Sequence, residues 1–240
     1  MRIVFAFFMA LALAAPATAA GAGGLSFHRS FAAGPRDFVS VDAQHGNFGA
    51  SIHVAAWRKN SVQVDVTGTG SDAGAVQVSA ARTGNRVEII VRRDDEGGFW
   101  SHVFGGWGRS PNISVDVRVP ATVRLEVAST NGHVGIESVS GDLKATTVNG
   151  GIVVRDAGSA LNLESVNGGI TGSIGRMSGA PDISIKTVNG GVHLSVPANF
   201  GARIHTSTVN GGVSNPFANA RRIGNASIET VNGGITITTH

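Results

Sequence analysis

The sequence contains no cysteine and no tyrosine, and only 15% of its 240 residues are charged. Without cysteine the chain has no disulfide, no thiolate metal ligand and no thiol to carry a lipid anchor, so it is not a lipoprotein. The formal net charge of +3 is small. The pI of about 10.2 is high because neither tyrosine nor cysteine titrates between histidine and lysine. A concentrated basic surface is therefore not indicated, and we expect no nucleic-acid partner.

Long apolar runs are absent after the first twenty residues. Residues 1–20 have the pattern of a secretory signal peptide, with Arg2, a short apolar run over 3–15 and small residues at 16–20. We therefore predict an exported protein that is periplasmic, at the cell surface or extracellular, without a transmembrane helix after signal cleavage. Residues 21–240 are predicted to form a single domain.

Glycine, in contrast, is abundant, and much of it lies in a repeated Asn-Gly motif. The asparagines recur at steps of 18, 18, 22, 21 and 22 residues: Asn131, Asn149, Asn167, Asn189, Asn210 and Asn232. Self-similarity at such a period is typical of repeat architectures, in which each repeat buries its apolar face against the next.

Apolar and polar residues alternate on both sides of each asparagine, as Leu161 and Leu163 before Asn167 and Ile170 after it show. This alternation predicts short strands, and Asn-Gly, which tolerates positive φ, predicts a tight hairpin-like turn between them. The first copies also show a nine-residue period, so we prefer two nonapeptide strands per coil to three hexapeptides. The pattern predicts an all-β, β-helix-like solenoid with coils of about 18–22 residues; its handedness stays open.

Residues 21–112 also alternate as strands do, but their repeat has decayed. We interpret them as irregular early coils or as a capping sheet of the same domain, and 113–240 as the regular repeats. The longer steps predict insertions that bulge from the turns, at 175–181, 197–202 and 215–225. The last strand is predicted to close the stack or to form its exposed edge.

Residues 94–112 interrupt the alternation and hold the main cluster of aromatic residues, which predicts a long loop between two strands. Its candidate contacts for a ligand or partner are Phe99, Trp100, Phe104, Trp107 and Arg109. These side chains could stack on sugars, insert among lipid headgroups or dock a protein. Alternatively they cover the open end of the core. The acidic run at 94–96 is interpreted as a solvated turn.

The repeats lack the residues of a metal or catalytic site. Calcium-binding nonapeptide rolls need aspartate where this chain has isoleucine, valine or threonine. The acidic residues are scattered, without the carboxylate pair of a glycosidase. We therefore predict no catalytic residue, no metal and no cofactor, although the β-helix fold keeps a polysaccharide-active enzyme as the least favoured alternative. The asparagines are interpreted as structural, through turn geometry and amide stacking between coils; the alternative is an amide ladder presented to a polysaccharide.

The order of these features resembles the DUF4097 family of candidate adhesins. The resemblance lies in the block VRVPATVRLEVASTNGHVGIESVSGDLKATTVNGGI, the recurrent TVNGG turns and the terminal IETVNGGITI. It implies a β-solenoid and supplies no established catalytic residues. We expect a non-enzymatic, adhesin-like interaction protein of the cell envelope or surface, whose partner is an envelope glycan, a membrane surface or an envelope protein. The alternative is a structural or stress-response accessory protein of the envelope that binds a protein partner.

Overall fold

The computed structural model describes residues 24–45, 48–70, 72–93, 111–158, 160–175, 182–217 and 224–240. Their regular secondary structure is β-strand apart from one 3-10 turn at Ala73–Ala75, and short turns join the strands. The strands are β1 Gly24–Ala32, β2 Phe38–His45, β3 Gly49–Trp57, β4 Ser61–Thr69, β5 Val76–Thr83, β6 Arg86–Arg93, β7 Asn112–Pro120, β8 Arg124–Asn131, β9 Val134–Glu137, β10 Leu143–Asn149, β11 Ile152–Ala157, β12 Ala160–Asn167, β13 Ile170–Ile174, β14 Asp182–Asn189, β15 Val192–Val196, β16 Arg203–Asn210, β17 Val213–Ser214, β18 Asn225–Asn232 and β19 Ile235–Thr239. Within the described ranges, no helix is long and apolar enough to span a membrane.

Each regular coil consists of two strands joined at an Asn-Gly turn. The coils are β8–β9, β10–β11, β12–β13, β14–β15, β16–β17 and β18–β19. First strands stack in parallel and in register, with Leu125 beside Leu143 and Leu143 beside Leu161. Second strands stack in the same way, with Ile152 beside Val134. The offset of 18 residues is therefore one coil of a two-layered, solenoid-like structure.

The two strands of a coil lie in opposite layers. The backbone pairings of β10 run to β8 and β12, whereas those of β11 run to β9 and β13. The hairpin-like turn predicted from Asn-Gly is therefore wrong, and the segment is an arch between layers. The reason lies in the core, because the apolar residues of both strands, such as Leu163 and Ile170, are buried between the two layers.

The coils do not stack in the order of the chain at the carboxyl end. β18 pairs with both β14 and β16, and β19 pairs with both β15 and β17. The last coil thus lies between the two before it, so the prediction that the final strand closes or edges the stack is wrong. Packing explains this order: Thr206 of the outer coil stands beside Ile228 of the last coil, and the more apolar coil takes the inner place.

The insertion at 197–202 folds inward and does not bulge as predicted. Phe200 and Ala202 are fully buried, and the Phe200 ring packs edge-on against Phe217 with 6.0 Å between centres. The Asn215 amide donates to the carbonyl oxygen of Ile204 at 2.8 Å. The chain passes the last coil between β15 and β16, and this connection contributes Phe200 and Ala202 to the buried core. Residues 176–181 and 218–223 of the other insertions lie outside the described residues.

The first seven strands extend the same two layers at the amino end. β2 and β3 form a coil next to β8 and β9, and β6 and β7 form another coil beyond it. β5 is antiparallel to β6, while β4 and then β1 add antiparallel strands beside β7. The amino-terminal half therefore contains both irregular coils and a covering antiparallel sheet.

Candidate functional site

Six asparagines stand in a column at the edge where the chain passes between the layers. Five hydrogen bonds link them, because the Nδ2 of each asparagine after Asn131 donates to the Oδ1 of the preceding asparagine in the column at 2.8 or 2.9 Å. In spatial order the column is Asn131, Asn149, Asn167, Asn189, Asn232 and Asn210. An amide has two N–H groups and two oxygen lone pairs, so an inner asparagine keeps one donor and one acceptor for a ligand.

These asparagines do not adopt the positive φ on which the turn prediction rests. Among the described non-glycine residues, only Arg36, Ser138 and Asp156 have a positive φ. The side chain is suited to the column for another reason: an amide both donates and accepts, so it can bond to its own copy in the next coil.

The glycine after each asparagine is required by the close approach of neighbouring turns. A Cβ at Gly168 would lie 2.0 Å from the backbone oxygen of Gly150, which is far inside van der Waals contact. The second glycine has more room, since a Cβ at Gly169 would lie 3.3 Å from the oxygen of Gly191. His133 occupies this second position in the first turn.

A column of valines lies beside the asparagines on the outer surface. Five of the six exposed large hydrophobic residues of the described chain form this column: Val148, Val166, Val188, Val231 and Val209. The sixth, Val213, lies in β17 of the outer coil, beside the buried Ile235. Val166 is 40% exposed, whereas the preceding Ser165 is buried and donates its hydroxyl to the Gly150 carbonyl at 3.1 Å. We call the surface formed by the six asparagines and the valine before each of the last five the valine–asparagine edge.

The backbone at this edge is already hydrogen-bonded along the stack. The Gly150 N–H donates to the Asn167 carbonyl, and the Ile152 N–H donates to the Gly169 carbonyl, both at 3.1 Å. Valine, asparagine and glycine carry no charge. A ligand at these turns therefore meets methyl groups and side-chain amides on a neutral surface.

A second feature is a trough of about 400 Å³ on the outer face of the layer that contains β8, β10 and β12. The Arg124–Asp142 and Lys144–Glu126 ion pairs lie along it at 3.1 and 2.8 Å. The hydrogen bond to Glu126 raises the pKa of Lys144. The Oδ1 of Asn162 is buried there without a hydrogen-bond partner. Both cations of the trough are already paired with carboxylates, and Asp182 is its third acidic side chain. Because no cation there is left for a ligand, the trough is a weaker candidate than the edge.

Other carboxylates on the regular coils also pair with cations of a neighbouring coil. Arg155 lies 2.9 Å from Glu137, and Lys186 lies 3.6 Å from Glu229. Glycosidases instead place two carboxyl groups across the bond that they cleave. Over the described ranges, no group of three or more histidine or acidic side chains is placed to hold a metal ion.

The aromatic contacts predicted from the sequence lie outside the described residues: Phe99, Trp100, Phe104, Trp107 and Arg109. The predicted signal peptide, 1–20, lies outside them too. The chain enters β7 at Asn112, which pairs with Gly49, and Gly49 pairs with Asn131. β7 therefore begins at the same edge as the asparagine column, near its amino-terminal end.

The sequence analysis does not identify the outward valines of the repeats as a candidate binding surface. The signal is present, because alternation makes the threonine of each TVNGG motif face inward and the following valine face outward. A large apolar residue repeated at an outward position is the pattern that reveals the edge.

Comparison with known proteins adds three distant structural likenesses. No family model matches the chain, and no curated protein matches it. Among the solved structures that match are a candidate cell adhesion protein from Clostridium sporogenes (TM-score 0.49, covering 90% of this chain and 100% of that one), a candidate adhesin from Bacteroides fragilis (TM-score 0.35, covering 89% and 97%) and a candidate lipid-binding protein from Parabacteroides distasonis (TM-score 0.27, covering 90% and 96%). Each is 11% identical to this chain. At these TM-scores and identities the likenesses carry no conclusion about function.

Proposed function

We propose that the chain is a non-enzymatic, adhesin-like interaction protein that binds its target through the valine–asparagine edge. The observation that carries this proposal is that five of the six exposed large hydrophobic residues of the described chain lie in one column on that edge. Single exposed apolar residues are ordinary on protein surfaces, whereas here they are aligned in one row that repeats from coil to coil. The amides are already held by one another, so binding costs little further side-chain entropy.

The sequence motifs support a relationship to the DUF4097 candidate adhesins, and the pattern of residues 1–20 supports export to the periplasm or surface. The target would then be an envelope glycan, a membrane surface or an envelope protein. A repeated edge suits an adhesin-like role because each coil adds a similar contact, and linked weak contacts give a large total avidity.

Capture of envelope fractions by the immobilised mature chain tests the proposal. Bacterial cell-wall sacculi and membrane vesicles are offered separately to the wild type and to a Val148→Thr/Val166→Thr/Val188→Thr variant. Threonine keeps the branched shape and replaces one methyl group by a hydroxyl. At roughly 0.8 kcal/mol for each lost methyl, we expect the triple variant to bind about 10- to 100-fold more weakly.

Two further variants make this test selective. Val153→Thr makes the same change on the outer face of β11, away from the edge, and should leave capture unchanged. Trp100→Ala/Trp107→Ala removes the two tryptophans of the predicted loop at 94–112. Capture that survives the triple valine variant and disappears in the tryptophan variant would refute the edge and assign binding to the aromatic segment. No capture of either fraction by the wild type would also count against the proposal.

A further inference from the structure

We infer that the valine–asparagine edge binds an extended, uncharged polysaccharide chain. This inference rests on the proposed function and specifies its ligand. Four properties of the edge support it: its dimensions, the hydrogen-bonding capacity of its amides, the state of its backbone and its charge.

The edge is long and narrow. Six coils at about 4.8 Å per strand give a length of about 24 Å, and layers about 10 Å apart give an area of roughly 240 Å². A specific protein interface buries about 800 Å² on each partner. The edge alone is therefore too small to hold a folded partner or a second copy of this chain, but it matches one extended polymer chain.

The groups on the edge match those of a sugar ring. Each inner coil presents one valine side chain beside one amide that keeps a free N–H and a free lone pair, as Val166 and Asn167 do. A pyranose ring has C–H groups on its faces and hydroxyl groups around its rim. The C–H face can pack on the valine methyls, while a hydroxyl, which both donates and accepts, satisfies the amide.

An extended peptide is a poorer match, because strand addition needs unpaired backbone groups. At the central turns those groups are already paired: the Gly168 N–H donates to Asn189 at 2.9 Å, and the Ile170 N–H donates to Gly191 at 3.0 Å. A peptide could bond only to the side-chain amides. The side-chain amides are sufficient partners for a polysaccharide, because its hydroxyl groups can both donate to them and accept from them.

The charge of the surface favours a neutral polymer. The edge itself carries no charge, and the next outward row holds both signs, with Glu164, Lys186 and Glu229 on successive strands of the stack. An acidic polysaccharide would gain no net attraction there. Binding should therefore be nearly independent of salt, unlike binding between opposite exposed charges.

Depletion of the purified mature chain by insoluble polysaccharides tests the inference. Cellulose, chitin and a β-1,3-glucan are the neutral probes, and carboxymethyl cellulose is the matched acidic probe, each at low and high salt. We expect at least one neutral probe to deplete the chain equally at both salt concentrations. The triple valine variant should bind it about 10- to 100-fold more weakly, and Val153→Thr should bind as the wild type does.

Several outcomes would overturn the inference. Binding to carboxymethyl cellulose alone, or neutral binding that the triple variant leaves intact, would contradict it. If no neutral probe binds while capture of an envelope fraction still depends on the valines, the ligand class is wrong and the proposed function stands. If neither binding depends on the valines, both fail. Melting curves of the variants separate lost binding from lost folding.

Discussion

The two glycines of each turn meet different surroundings, and this difference can be measured. We predict that Gly168→Ala lowers the free energy of unfolding by roughly 3 kcal/mol or prevents folding, because its Cβ would meet the Gly150 backbone at 2.0 Å. Gly169→Ala should cost less than about 1 kcal/mol, since its Cβ would lie 3.3 Å from the nearest atom. Urea denaturation compares the two variants. Similar costs would show that close stacking does not require the first glycine.

The asparagine column should stabilise the stack as well as bind. Asn167 donates to Asn149 and accepts from Asn189, so Asn167→Ala removes two hydrogen bonds. At about 0.5–1.5 kcal/mol each, we expect a loss of about 1–3 kcal/mol. Asn162→Ala is the control in the same strand, and it should cost less because its buried Oδ1 has no partner. A larger cost at Asn162 than at Asn167 would contradict a stabilising ladder.

At the residue scale, the sequence reveals which positions repeat but not always why. The repeat predicts amide stacking between coils as one of two roles for the asparagines, and the structure has this stacking in five hydrogen bonds. The other reason, positive φ, does not apply to them. Position 168 requires glycine because a Cβ there would overlap the backbone of Gly150 in the neighbouring coil. The residues next to Gly168 in the sequence do not reveal that contact.

The order of the coils is the main feature at the level of elements that the sequence leaves undetermined. Alternation decides which residues of a strand face inward, but similar repeats offer similar apolar partners and do not specify their neighbours. A signal exists in the penultimate repeat, where Thr206 and Asn215 stand at the positions held by Ile228 and Ile237 in the last repeat. Polar residues at two inward positions mark a coil suited to the end of the stack.

Introduced cysteines test this order cleanly, because the chain has none of its own. Ser184 and His205 are each a Cα partner of Ser227. We predict that Ser184→Cys/Ser227→Cys and His205→Cys/Ser227→Cys form disulfides under mild oxidation, as read by mass spectrometry. Ser184→Cys/His205→Cys should not, since two strand spacings give about 9.6 Å, beyond the reach of a disulfide. Efficient crosslinking of that last pair would mean that the coils follow the chain.

At the scale of the molecule, the edge becomes visible as a site only after the coils are stacked. A single outward valine in a strand, such as Val188, is common on protein surfaces. Val188 belongs to a continuous apolar row only because Val166 lies on one side of it and Val231 on the other. The all-β, coiled architecture from residue 113 onward could be predicted, because it depends on alternation within each repeat. The continuous surface could not be predicted in full, because it depends on which coils become neighbours.

Cysteine footprinting measures whether the bound target covers the valine–asparagine edge. The chain carries Val166→Cys on the edge or Val153→Cys on the outer face of β11, and maleimide labelling is timed with and without the envelope fraction that the wild type captures. The account predicts that the fraction slows labelling of Val166→Cys several-fold, because the target covers the edge, and leaves Val153→Cys unchanged. Unchanged labelling of Val166→Cys in the presence of bound target, or protection of Val153→Cys alone, would contradict binding through the valine–asparagine edge.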